Sequence, residues 1–175
     1  MNGPETSHVL KGALYSRSPG YRPLGVAHRT EWLDLEEMAE VEVTSEDPRF
    51  PLESALVSSK GPGWRAAQRG KQIIRITFDK PTRLRRIRLE FSETEIARTQ
   101  EFTLQWSTEP GGPFTEIVRQ QGSFSPQGST RETEDYQVNL DSVSVLELAL
   151  KPDLTPAKRI RNLGQLAHGV TLCWG

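Results

Sequence analysis

The chain is 175 residues long, with a formal net charge of −1, 35% hydrophobic and 26% charged residues. That balance fits one domain with a modest core and gives the molecule as a whole no electrostatic pull toward nucleic acid or an anionic membrane. No window approaches about 18 consecutive apolar residues, and the N-terminus lacks the basic-then-apolar order of a signal peptide, so membrane insertion and export are not expected and a cytoplasmic location is.

In chain order, the first thirty residues carry Gly, Pro, Ser and Tyr without a period and read as an irregular arm, which we extend to residue 38. Within it, "TEWLDLEEMAE" places Trp32, Leu35 and Ala39 at near-helical spacing and is compatible with a helical turn or two or with an edge strand. From residue 39 the period changes to two. "AEVEVTS" alternates Val41 and Val43 with Glu40 and Glu42, "KQIIRITF" puts Ile74, Ile76 and Phe78 on one face, and "RRIRLEF" does the same with Ile87, Leu89 and Phe91. "EFTLQW" follows with Phe102, Leu104 and Trp106; "FTEIVRQ" is a weaker strand after the turn "STEPGGP"; and "YQVNL" supplies Tyr136, Val138 and Leu140. In "VSVLELAL" the apolar parity switches between Val145 and Leu146, which predicts a bulge or burial on both faces.

Such strands, joined by turns such as "FDKPT" and "EPGGP" with no helix of crossover length between them, predict an all-β fold over residues 39–175: an antiparallel β-sandwich, a jelly roll. The segment "LTPAKRIRNLGQLAHGVTLCWG" shows no clean alternation and is expected to be irregular. The single Cys173 within it excludes an internal disulfide and a cysteine-cluster metal site, and is expected to be a buried thiol.

The charges are unevenly spread. Residues 60–91 hold ten Lys/Arg against two acids, and residues 92–147 hold ten acids against three bases. If these segments form neighbouring strands, their charges answer each other across the sheet, and nucleic-acid binding through Arg75, Arg83, Arg85, Arg86 and Arg88 is not expected.

Enzyme motifs are absent. There is no phosphate-binding loop, since Lys71 precedes Gln72 rather than Ser or Thr, and no nucleophile elbow. His8, His28 and His168 lie outside the strand-rich region. The carboxylate groups Glu93 with Glu95, and Glu132 with Glu134 and Asp135, sit too close in sequence to flank a deep cleft, so loop acids that solvate the surface, pair with arginine or hold a ligand hydroxyl are the expectation. No cofactor is expected. Calcium is compatible with such loop oxygens, although no dedicated calcium loop is present.

The connecting segments are the informative part. "SEDPRFPLESAL" holds Asp47, Arg49 and Phe50; "GPGWRAAQRG" holds Trp64 and Arg65; "FSETEIARTQEF" holds Glu93 and Arg98; and "RQQGSFSPQGSTRETE" is expected to expose Gln121 and Phe124. Planar hydrogen-bonding groups beside rings suit a glycan or another small polar ligand: bidentate groups meet paired hydroxyls and an aromatic covers the apolar face of the ring. Trp64 is expected to be packed beneath the loops and Arg65 to touch the ligand.

The order "VEVTSEDPRFPLESAL", "GPGWRAAQRGKQIIRITFDKPTRLRRIRLEF", "RTQEFTLQWS" resembles the discoidin or coagulation factor V/VIII type C domain, one of the galactose-binding-like β-sandwiches, over roughly residues 39–153. The resemblance implies a non-catalytic attachment module whose binding end is formed by the loops around Asp47–Phe50, Trp64–Arg65 and 93–98. Relatives of this fold bind galactose and other glycans, phospholipid headgroups, collagen or other proteins, and one version is the N-terminal domain of a DNA single-strand-break repair scaffold. No apolar spikes of the lipid-binding kind are present. A glycan-binding module is therefore expected, with a protein-interaction or nucleic-acid scaffold domain as the alternative.

Overall fold

A computed structural model describes residues 8–10, 32–56, 63–152 and 169–174; of 8–10 and 169–174 the backbone alone is described. The elements are β1 (His8–Leu10), α1 (Leu35–Met38), β2 (Ala39–Val43), α2 (Glu53–Leu56), β3 (Gln72–Ser92), β4 (Arg98–Ser107), β5 (Thr115–Phe124), β6 (Arg131–Pro152) and β7 (Gly169–Trp174). All strand pairings are antiparallel, in the order β1-β2-β3-β6-β4-β5, with β7 on β3.

Two long strands turn this ladder into layers. The first part of β3 pairs with β2 (Val41 opposite Ile76), whereas its last part pairs with β7 (Leu89 opposite Leu172). Its partner β6 divides in the same way: the end around Leu148 lies between β3 and β4, and the start around Glu134 lies on the far part of β3. The register between β3 and β6 slips between Thr77 and Arg86. Asp79, Lys80 and Pro81 are exposed there, and Pro81 has no N–H to give a ladder, so the bend falls where a proline costs least. The two strands predicted on either side of "FDKPT" are thus halves of one bent strand, and "YQVNL" and "VSVLELAL" are halves of another.

The alternation predicted for the inward sets holds. Val41, Val43, Ile74, Ile76, Phe78, Ile87, Leu89, Phe91, Phe102 and Leu104 are buried, and Trp106, Tyr136, Val138 and Leu140 pack partly buried against them. Phe91 of one layer meets Phe102 of the other with ring centroids 5.0 Å apart. Residues 143–150 are buried throughout, so the parity switch in "VSVLELAL" marks a strand covered on both faces beside a register slip.

Three expectations change. "TEWLDLEEMAE" resolves into the single turn α1 followed by β2. His8 opens β1, so part of the arm is a strand of the sheet beside β2. The C-terminal segment does contain a strand: "GVTLCW" pairs with β3, with Cys173 opposite Arg88. Its Val-Thr-Leu-Cys alternation is too short to stand out beside the polar run before it. His28, His168 and the order of most of the arm lie outside the described residues.

Candidate functional site

The loop between β2 and β3 is built on its own backbone. The Asp47 N–H donates to the carbonyl of Arg65 (2.8 Å), Phe50 N–H to that of Asp47 (2.8 Å), and Arg65 N–H to that of Phe50 (3.1 Å), so the two arms of the loop are laced together. Ser45 Oγ donates to Gln72 Oε1 (2.8 Å) and accepts from Gln68 N–H (3.1 Å), which pins the base of the loop to the start of β3. Gly63, at φ 76, makes a left-handed turn that a side chain would strain, and delivers the chain into Trp64.

Trp64 has no exposed surface. It is a wedge beneath the loop, as expected, and it cannot touch a ligand. Its neighbour Arg65 lays its guanidinium over the Phe50 ring, 3.9 Å from the centroid, and reaches to within 3.9 Å of Glu95. Arg49 grips Asp47 through both carboxylate oxygens, at 3.1 and 2.8 Å, and adds a backbone bond of 3.0 Å. These bonds hold the Asp47 carboxyl down to about 2. The Arg49 side chain is 59% exposed and that of Asp47 12%. One end of the sandwich therefore presents two guanidinium groups, two carboxylates and a phenyl ring.

The loop at residues 93–97 is fixed from below. Glu93 Oε1 accepts the backbone N–H of Glu95 (2.9 Å) and of Ile96 (3.3 Å), its own N–H donates to the carbonyl of Thr130 (2.8 Å), and its other oxygen pairs with Arg98. Glu93 and Arg98 are 1% and 5% exposed. They hold the loop that carries Glu95 and do not face solvent.

The predicted set divides accordingly. Asp47, Arg49, Phe50 and Arg65 come together at the surface. Trp64, Glu93 and Arg98 lie beneath them. Phe124 is corrected: β5 runs on through "QGSF", which puts its ring in the core at 3% exposure instead of on a loop. Gln121 is exposed, but on β5 opposite Glu101, a strand position rather than a loop one. Ser45 and Gln72 were missed, whereas Glu95, named in the sequence as a loop acid, joins the surface group through Arg65. Gln72 had a signal: it shares the inward parity of Ile74 and Ile76. A separate cleft of about 300 Å³ beside the β4–β5 turn, lined by Glu42, Arg75, Thr77 and Phe114, contains none of the predicted residues. Among the described residues no three His, Cys, Asp or Glu side chains converge as a metal cluster.

No family model matches the chain, and no curated protein matches it by sequence. Solved structures do. One is CpGH89CBM32-4, produced by Clostridium perfringens, in complex with GlcNAc-α-1,4-galactose, at TM-score 0.53 and 9% identity over 83% of this chain and 95% of that one. Another is CBM32-3 from a family 31 glycoside hydrolase of Clostridium perfringens, at TM-score 0.52 and 15% identity over 82% and 93%. A third is the CBM32 of AlyQ in complex with 4,5-unsaturated mannuronic acid, at 0.51 and 14% over 77% and 92%. The chain thus has the fold of these CBM32 modules, an antiparallel β-sandwich as the sequence predicted.

Proposed function

We propose that this chain is a non-catalytic binding module whose ligand is a carbohydrate, held at the loop end of the sandwich. The observation that carries the reading is the convergence of Asp47, Arg49, Phe50, Arg65 and Glu95 on one end, on loops locked by their own backbone bonds and by a buried ion pair. Forked guanidinium and carboxylate groups bind adjacent hydroxyls in pairs, and a ring beside them accepts the apolar face of a pyranose. The charges of the cluster balance, which suits a neutral sugar. Two of the matching modules are in complex with sugars, which supports the ligand class.

The Glu93 carboxylate is committed to Arg98 and two N–H groups, and Glu132 and Glu134 face between the layers rather than into a substrate cleft. Among the described residues Phe114 is the one exposed large hydrophobic, so they show no broad apolar patch for a protein partner.

A glycan array probed with the full chain, with and without calcium, tests the reading. Binding to at least one sugar, lost in Arg49→Ala and Arg65→Ala, is expected. No sugar above background in either condition would replace it with protein interaction.

A further inference from the structure

The outer face of the β2-β3-β6-β4 layer carries a polar row, in which Glu42, Arg75, Glu147 and Gln105 are cross-strand neighbours in turn. Arg75 thus has a carboxylate on either side, and it takes one of them. Its Nε and Nη2 donate to Glu147 Oε2 (2.9 and 2.6 Å), and Glu147 Oε1 accepts Gln105 Nε2 (2.9 Å), so the charge of Arg75 is already met. Glu42 is left over: among the described residues no side chain bonds or pairs with it. In the next outward row Thr77, Val145 and Ser107 are neighbours, and the β4–β5 turn that follows Ser107 closes a cleft of about 300 Å³ with Glu42, Arg75, Thr77 and Val145.

That turn is held from several sides. Ser107 Oγ donates to the carbonyl of Glu109 (2.9 Å) and accepts its N–H (3.3 Å), and Gly112 N–H donates to the same carbonyl (3.1 Å). Ser144 Oγ donates to the carbonyl of Thr108 (2.7 Å), which ties the turn to β6, and Gly111 supplies the left-handed step at φ 76. Both serines are buried, at 3% and 6% exposure. A braced turn therefore presents Phe114, the one large hydrophobic among the described residues that solvent reaches, in the same cleft as the unmet Glu42 carboxylate.

We propose that this cleft is a second ligand site, on the sheet face, for an amine-bearing sugar: a 2-amino-2-deoxyhexose whose protonated amino group pairs with Glu42 while the apolar face of its ring lies on Phe114. Arg75 and Glu147 cancel, so Glu42 sets the charge of the cleft. A carboxylate beside an exposed ring draws an ammonium group by ion pairing and by the negative face of the ring. A neutral sugar would leave the Glu42 charge unmet, and an acidic one would be repelled by it. The volume is at the low end for small-molecule pockets and suits a single pyranose. The amine follows from Glu42 and Phe114 alone; that a sugar carries it rests on the carbohydrate reading above. The cleft contains none of the loop residues Asp47, Arg49, Phe50 and Arg65, so the two sites can be disabled separately.

The test titrates the full chain by calorimetry with a β-1,4-linked glucosamine tetramer, its N-acetylated form and cellotetraose. Each is run on the unaltered chain and on one carrying both Arg49→Ala and Arg65→Ala, in which the loop site is disabled. The glucosamine tetramer is expected to bind both chains, more weakly as salt rises from about 0.05 to 0.5 M. Glu42→Gln and Phe114→Ala should each lower its affinity about fivefold or more while the Tm stays in place, since Glu42 has no partner to lose and Phe114 is exposed. The proposal is overturned if the glucosamine tetramer does not bind, if the acetylated or neutral tetramer binds the loop-disabled chain as tightly, or if Glu42→Gln leaves the affinity undiminished. Loss of glucosamine binding in the loop-disabled chain also overturns it, by assigning the amine to the loop end, and tighter binding of tetralysine would replace the sugar with a basic peptide. Failure of the loop-end reading looks different: sugars bind, and Arg49→Ala and Arg65→Ala change nothing.

Discussion

Truncating Trp64 to alanine removes a ring with no exposed surface, and is expected to lower the unfolding free energy by about 3–5 kcal/mol in a denaturant titration. Arg49→Ala should do the opposite. Its guanidinium is 59% exposed, so the melting curve should stay in place while sugar affinity is lost, a split that array binding and thermal unfolding read separately. The pH dependence of the site follows from the same pair. The folded-state carboxyl of Asp47 is depressed from 3.8 to about 2 by its bonds to Arg49, so its contribution is complete above 3.8 and disappears only as pH falls through about 2. Sugar binding should therefore persist at pH values where an ordinary aspartate is already half protonated; Asp47→Asn should lose it at all pH values. The residue types of the site were legible in "SEDPRF" and "GWR". Which of them reach solvent was not, because exposure depends on what packs against each side chain.

At the scale of elements, the loop between β3 and β4 depends on an ion pair it covers. Arg98→Met would leave Glu93 charged and buried, at a cost of about 3–5 kcal/mol, and adding Glu93→Gln should recover part of that loss. The sheet face offers a contrast. Arg75 is bonded to Glu147, whose side chain is 5% exposed, while Arg83 and Asp141 are 53% and 69% exposed. Arg75→Met should cost about 1–3 kcal/mol through the stranded carboxylate, and Arg83→Met should stay within about 0.5 kcal/mol. Alternation located β2, β4 and both halves of β3 and β6. It placed Phe124 wrongly because "QGSF" reads as a turn, whereas cross-strand bonds to β4 carry β5 through it.

For the whole molecule, the basic segment and the acidic one are neighbours in the fold. Arg75 meets Glu147, Arg83 meets Asp141, Arg86 meets Asp135 and Arg65 meets Glu95, so the arginine-rich stretch presents paired charge. Retention on double-stranded DNA is expected to be at background even at about 0.05 M salt; salt-dependent retention would restore a nucleic-acid reading.

The sequence by itself determined the fold class and the loops in which the planar polar residues gather. A period of two with proline and glycine turns admits little but an antiparallel sandwich, and planar polar residues gather in few loops. It also carried an unread signal: Gln72, Arg98, Gln100, Glu132 and Glu134 occupy inward parity among apolar residues. Only the tertiary structure decided what those residues do, because the partner of an inward polar group lies on another strand. Ser45 answers Gln72 across 27 positions, and Glu93 answers Arg98 beneath a loop. Glu132 answers Gly122 across the layers, its carboxylate resting where that residue has no side chain.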